Sequence, residues 1–122
     1  VTDKQLTPHF NLSEFRCPCC NQVDEPNALA LATALEPVRH DFGPLAILSG
    51  YRCPKHNTAV KGKANSMHLR GLAADISTST DSDRFALVLA LMRHGFKRIG
   101  IGAHLTHADL GTTAPVIWTY YA

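Results

Sequence analysis

The chain has 122 residues, 45% of them hydrophobic, which suits one domain with a real core and is too short for two. Lys and Arg number 12 against 10 Asp and Glu, and a net charge of +2 is too weak to mark a nucleic-acid binder. The longest apolar run, Phe85–Met92, has eight residues, where a membrane helix needs roughly 20, and no collagen-like or disordered composition is present.

Residues 1–8 are polar and read as an N-terminal tail, with a single domain over residues 9–122. Asp3, Lys4 and Gln5 interrupt any apolar stretch after Val1, so no signal peptide is visible, although a mature chain would already have lost one. His9–Phe15 reads as a short ordered segment with Ser13 as its N-cap. Asp24, Glu25 and Pro26 start a helix, because proline suits its first turn and acids suit its positive end. Leu29, Ala32 or Thr33, and Glu36 mark its inward stripe, Pro37 is expected to kink or end it early, and it fades at Asp41–Gly43.

Leu45–Leu48 reads as a buried strand, followed by a long polar loop from Cys53 to Ser66. Leu72–Ile76 is a second strand. Asp81 or Asp83 caps a second helix with a core stripe of Phe85, Val88, Leu89 and Met92, and Gly95 ends it. Arg98–Gly102, Leu105–Leu110 and Val116–Tyr120 are further strands. Helices loosely alternate with antiparallel-looking strands, which predicts an α+β domain, a small antiparallel sheet with flanking helices.

Cys17, Cys19, Cys20 and Cys53 are the four cysteines, and Cys17-Pro-Cys-Cys20 carries a C-x-x-C spacing. A structural zinc site, a disulfide to Cys53 and free thiols are all compatible with this pattern, and free thiols are the default.

Seven histidines are a surplus for this length, and His94, His104 and His107 crowd near the C-terminus. In the strand that follows Gly71, Leu72, Ala74 and Ile76 share one face while Ala73, Asp75 and Ser77 share the other. Asp75 therefore points away from the apolar face, towards wherever His68 folds back. Leu105, His107 and Asp109 likewise share a face. His68, Asp75 and His107 together have the composition of a three-ligand catalytic zinc site, which would acidify a water to a pKa of roughly 7. An ordinary His–Asp hydrogen bond on a loop is the alternative. No H-E-x-x-H helix is present.

Ser66-x-His68-x-x-Gly71-x-Ala73-x-Asp75 resembles the signature of the zinc D-Ala-D-Ala carboxypeptidase-like peptidases, which share an α+β superfamily with the lysostaphin-type peptidases and the hedgehog N-domain. His9–Phe15, Ser49–Pro54 with Asn57, Gly100–Gly102, His107–Asp109 and Trp118–Tyr120 resemble its small phage and bacterial branch in the same order. The resemblance implies zinc ligands at His68, Asp75 and His107, and Arg52 beside the scissile carbonyl, stabilising an oxyanion or holding a substrate carboxylate. A surface ion pair is the plain alternative for Arg52. Ser66 is expected to brace the ligand loop. Better-known members carry an acid three residues before the last zinc histidine, and here that position is His104. His104 is the expected general base and Asp109 its rival, the latter alternatively orienting His107. His9, His40, His56 and His94 have no matched role, and Trp118, Tyr120 and Tyr121 are read as packing. Lys55, Lys61, Lys63 and Arg70 make the loop around the site basic.

Two functions are therefore expected to compete. One is a zinc peptidase cutting the peptidoglycan stem peptide, as carboxypeptidase or endopeptidase, in the periplasm or cell wall, from a phage or a bacterium, and monomeric. The other is a non-catalytic module of the same fold that binds a wall or protein partner.

Overall fold

In the computed structural model, residues 3–120 are described. Among them the chain runs β1 (Gln5–Thr7), β2 (Phe10–Asn11), a 3₁₀ turn (Leu12–Phe15), α1 (Glu25–Phe42), β3 (Ile47–Ser49), α2 (Pro54–Ala59), a second 3₁₀ turn (Met67–Arg70), β4 (Ala73–Ser77), α3 (Asp81–Arg93), β5 (Arg98–Ile101), β6 (Leu105–Asp109) and β7 (Val116–Thr119). The fold is α+β, with a two-stranded β1–β2 ribbon and a five-stranded sheet in the order β3-β4-β6-β5-β7.

The sheet departs from the expected all-antiparallel pattern at one edge, where β7 runs parallel to β5. The reason is local. β6 ends with Asp109 beside Arg98, the first residue of β5, and the link from Leu110 to Pro115 sets Val116 against that same Arg98. A strand entering beside the start of β5 must run in its direction.

Alternation along the strands splits the sheet into two faces. Ala74 and Ile76 of β4, Ile99 of β5 and Ala108 of β6 are buried in the core with Leu31 and Leu35 of α1 and Leu87 and Leu91 of α3. Asp75, His107, Asp109 and Arg98 point to the opposite face, and this face carries the chemistry.

α1 begins as its sequence suggests, with the Asp24 carboxylate accepting the Asn27 N–H and proline in the first turn. Its buried stripe is Ala28, Leu31, Ala32, Leu35 and Val38, whereas the expected Leu29 is 45% exposed. Glu36 is no core residue either. Its carboxylate takes the Thr7 hydroxyl, the His9 N–H and the His9 ring. Pro37 neither ends nor shortens the helix, which continues to Phe42 and closes with Gly43 N–H on the Arg39 carbonyl. Burial of Leu35 and Val38 on either side of Pro37 offsets its missing hydrogen bond.

In α3 the expected core stripe is out of phase except at Val88, which packs against the core. Phe85, Leu89 and Met92 are 71%, 42% and 57% exposed, while Leu87, Ala90 and Leu91 are buried. Eight consecutive apolar residues offer an apolar stripe in any phase, so periodicity had nothing to choose with. Its cap is Thr80, whose hydroxyl accepts the Asp83 N–H, rather than Asp81 or Asp83.

The N-terminal segment is ordered from β1 onward rather than a loose tail, and β1 pairs with β2. Ser13 sits inside the first 3₁₀ turn and binds Asp3, and the Asn11 N–H there is taken by Glu14. The presumed Cys53–Ser66 loop contains α2, started by Pro54 and capped by the Cys53 sulfur on the His56 N–H. No helix among the described residues is long and apolar enough to cross a membrane.

Candidate metal centre

Three short devices bring His68, Asp75 and His107 together. His68 is carried by the 3₁₀ turn Met67–Arg70, where the Ser66 hydroxyl accepts the His68 N–H at 3.1 Å. The turn closes at Gly71 with φ +70, a left-handed conformation that glycine adopts without strain. Asp75 in β4 and His107 in β6 are cross-strand partners in register. One donor atom from each of the three lies within 4.8 Å of the others, and all three residues are buried.

The ring orientations follow from the partners on the far side. His68 Nδ1 lies 2.7 Å from the Gly50 carbonyl, which only accepts, so that nitrogen carries the proton and Nε2 faces Asp75 Oδ1 at 3.3 Å. His107 Nε2 lies 2.7 Å from Asp109 Oδ2 and donates to it, which aims Nδ1 at Asp75 Oδ1, 3.0 Å away. Two imidazole nitrogens thus converge on one carboxylate oxygen. Lone pairs so placed repel unless a proton or a cation lies between them, and a borderline-soft divalent ion such as zinc suits an N, N, O set. The residues present fit the metal.

Electrostatics support this reading. In the absence of a metal, a proton between ring and carboxylate takes its place: burial alone would raise the Asp75 carboxyl, but hydrogen bonds from His107 and His68 with their facing nitrogens protonated hold it well below the usual carboxylate range. Burial would lower His107, yet its bonds to Asp109 and Asp75 push it above the ordinary imidazole value. Asp109 is also depressed, against its burial, by His107, the Gly111 N–H and Arg98.

Arg52 is no surface ion pair. Its Nη2 donates to Asp75 Oδ2 at 3.0 Å, its Nε to Ser49 Oγ at 3.1 Å and its Nη1 to Asn57 Oδ1 at 3.3 Å. The guanidinium occupies the outer oxygen of Asp75 and leaves the inner one to the centre. Asn57 is itself buried and anchors the following loop through Lys63 O at 2.9 Å.

The two expected bases fare differently. His104 lies in the β5–β6 turn, exposed and outside the cavity that contains His68, Asp75 and His107. A bend before Leu105 would have been needed to bring it in, but the turn is closed by Gly102 N–H on the Leu105 carbonyl, and Leu105 lines the cavity instead. Asp109 is in the site, but its oxygens take His107, Arg98 Nε at 2.8 Å and the Gly111 N–H.

From the sequence Arg98 is only a strand residue and Trp118, Tyr120 and Tyr121 are packing, the last of which lies outside the described residues. Arg98 and Gly100 have the parity in β5 that faces Asp109 and His107 across the pair, a signal readable from strand alternation. Arg98 also lies 5.3 Å from the centre of the Trp118 ring. Trp118 and Tyr120 are not mere packing, because they wall the cavity, and Trp118 lies 5.1 Å from His107 ring to ring. Gly100 permits this, since a Cβ there would come within 2.8 Å of the indole. The cavity is about 530 Å³, with Lys61 and Lys63 on its rim, whereas Lys55 and Arg70 lie outside its lining.

Residues 8–110 match the family model described as Peptidase M15. Over 98 residues the chain is 32% identical to the zinc D-Ala-D-Ala carboxypeptidase of Streptomyces albus G, an alignment covering 76% of this chain and 38% of that protein. The chain thus spans well under half of that relative's length. Taken with the buried His–Asp–His cluster, the extent of the family match settles the affiliation: this chain belongs to the peptidase M15 family.

Proposed function

We propose that the chain is a zinc-dependent peptidase that hydrolyses a bond in the stem peptide of peptidoglycan, at the cell wall or in the periplasm. The observation that carries this reading is the convergence of His68 Nε2, Asp75 Oδ1 and His107 Nδ1 on one wall of a cavity large enough for a peptide segment. When bound there, zinc would supply Lewis acidity, polarising a carbonyl and acidifying water. Asp75 and the two imidazoles would hold it, and Arg52, Asp109 and Ser66 keep those three in place. Arg52 also lines the cavity, where its guanidinium would suit a carbonyl oxygen bearing developing charge or a substrate carboxylate. Lys61 and Lys63 on the rim favour a peptide with free carboxylates. The name of the Streptomyces relative points to a D-Ala-D-Ala terminus as the first substrate to try.

One observation favours the second reading, a binding module that keeps the metal without turnover. Neither His104 nor Asp109 offers an unengaged basic atom to the centre. Release of new amino and carboxyl termini from purified peptidoglycan, and of D-Ala from a D-Ala-D-Ala peptide, separates the two. Chelator-sensitive release supports the peptidase. Zinc-loaded protein that pulls down peptidoglycan without releasing termini supports the module.

A further inference from the structure

A second cluster of metal-ligating side chains lies outside the cavity. Cys17, Cys20 and Cys53 place their sulfurs within 4.8 Å of one another, although Cys53 is far away in sequence. Cys19, exposed on the same knuckle between Cys17 and Cys20, is the remaining thiol of the chain and lies outside this three-sulfur group. The Cys17–Cys20 segment is a tight knuckle: Asn21 N–H bonds the Cys17 carbonyl at 2.8 Å, Cys17 N–H bonds the Gln22 carbonyl at 2.9 Å, and Asn21 takes a left-handed φ of 61. Backbone N–H groups already point at the sulfurs. Cys53 N–H reaches Cys17 Sγ at 3.5 Å, and His56 N–H reaches Cys53 Sγ at 3.3 Å. Such donors stabilise thiolates, the form that binds metal.

We infer that Cys17, Cys20 and Cys53, with Cys19 as the fourth thiolate, form a structural site for a thiophilic divalent cation such as zinc, separate from the His68–Asp75–His107 centre. A disulfide joins two sulfurs and gives no reason for a third to converge on them. A tetrahedral thiolate site requires that convergence, and structural zinc sites are almost always four-coordinate and closed to substrate. The C-x-x-C spacing across a knuckle, with the other ligand from a distant loop, is the usual arrangement of such sites.

The position gives the site a use. Cys53 directly follows Arg52, and the preceding residues are already pinned to the N-terminal segment by Tyr51 N–H on the Phe15 carbonyl at 2.9 Å. A Cβ at Gly50 would meet the Phe15 backbone at 2.7 Å, so the two segments touch. A metal across Cys17, Cys20 and Cys53 would clamp this contact and hold the backbone from which Arg52 reaches Asp75.

The test is metal counting on the whole chain, purified under reducing conditions with zinc present, by native mass spectrometry and elemental analysis. The expected result is about two zinc ions per chain. His68→Ala should keep one, and Cys20→Ser, which alters an exposed residue, should also keep one. Cobalt replacing zinc in His68→Ala should show the intense near-ultraviolet sulfur-to-metal charge-transfer absorption of thiolate ligation. One zinc in the wild type with none in His68→Ala would overturn the inference. So would a wild-type chain lighter by the two hydrogens of a disulfide, or a Cys20→Ser chain that still holds both ions. Because the wild-type and His68→Ala counts do not depend on Cys20→Ser, together they decide the matter even if that variant is unstable. Loss of zinc at the His–Asp–His centre alone would leave the cysteine-bound ion in place, so the two sites are judged separately.

Discussion

Asp109 accepts a hydrogen bond from His107 Nε2 at 2.7 Å and is itself held by Arg98 at 2.8 Å, so a chain of charged hydrogen bonds runs from the β5 edge to the ring whose Nδ1 faces Asp75. Asp109 and His107 sit two residues apart on β6 with the same parity, which makes the pair a property of one strand. Its consequence is tautomeric: with Nε2 committed to Asp109, the lone pair of neutral His107 has to face Asp75. Carboxylates behind ligating histidines fix ring orientation and raise ligand basicity.

Asp109→Ala should therefore weaken zinc affinity by roughly 10- to 100-fold and lower activity through occupancy. Competition with a chelator of known affinity measures the first, and excess zinc should restore most of the second. An Asp109→Ala chain that keeps its zinc yet is inert would instead make Asp109 a direct participant in the reaction.

His104→Ala should change little. The residue is exposed and outside the cavity, and surface substitutions away from special features stay within about 0.5 kcal/mol in stability. Zinc content and turnover on the D-Ala-D-Ala peptide should both match the wild type. A large fall in rate with zinc retained would show that His104 moves into the site when substrate binds.

Arg52→Lys keeps the charge but loses the planar fork that serves Asp75, Ser49 and Asn57 together. Zinc should be retained while turnover falls by roughly 10²- to 10³-fold, the usual effect of losing a donor to a developing oxyanion. Arg52→Ala goes further, because it leaves the buried Asp75 Oδ2 unpaired. In the chelator-treated chain that should cost about 3 kcal/mol by denaturant unfolding.

Gly62→Ala tests the support beneath Arg52. A Cβ at Gly62 would lie 2.0 Å from Asn57 Oδ1 and 3.1 Å from Arg52 Nη1. Asn57 must move, and with it one of the three anchors of the guanidinium. A loss of about 1–3 kcal/mol in stability is expected, as for overpacking elsewhere, with a fall in turnover that resembles Arg52→Lys.

The metal-free chain should show a characteristic pH profile. His107 is raised above 6.5, so the stability it contributes is fully present below that value and is lost as pH rises through its folded pKa. Asp75 and Asp109 are depressed below 3.8, so their contribution is present above that value and is lost as pH falls through their folded pKa values. Stability of the chelator-treated chain should therefore peak between these two limits. Zinc titrated in at a pH below the folded pKa of His107 should release protons, because Nδ1 of the charged ring must give one up to bind. Calorimetry in two buffers of different ionisation enthalpy detects this release.

Local sequence determined much of the site, since strand parity is a property of each segment alone. Alternation in Leu72–Ile76 placed Asp75 opposite the core, and alternation in Leu105–Leu110 put His107 and Asp109 on one face. The cap of α1 at Asp24 and the α+β class were legible for the same reason, because caps and periodicities act within a few residues. What sequence could not decide depends on contacts between distant segments. The phase of α3 was set by the sheet it packs on, since its apolar run supports any phase. The parallel entry of β7, which brings Trp118 and Tyr120 over His107, follows from where β6 happens to end. His104 has the spacing of a catalytic residue, yet the β5–β6 turn leaves it in solvent. The meeting of Cys53 with Cys17 and Cys20 likewise depends on the loop after β3 lying against Phe15. Local chemistry is written in short intervals of sequence, whereas its convergence is decided by packing across the whole chain.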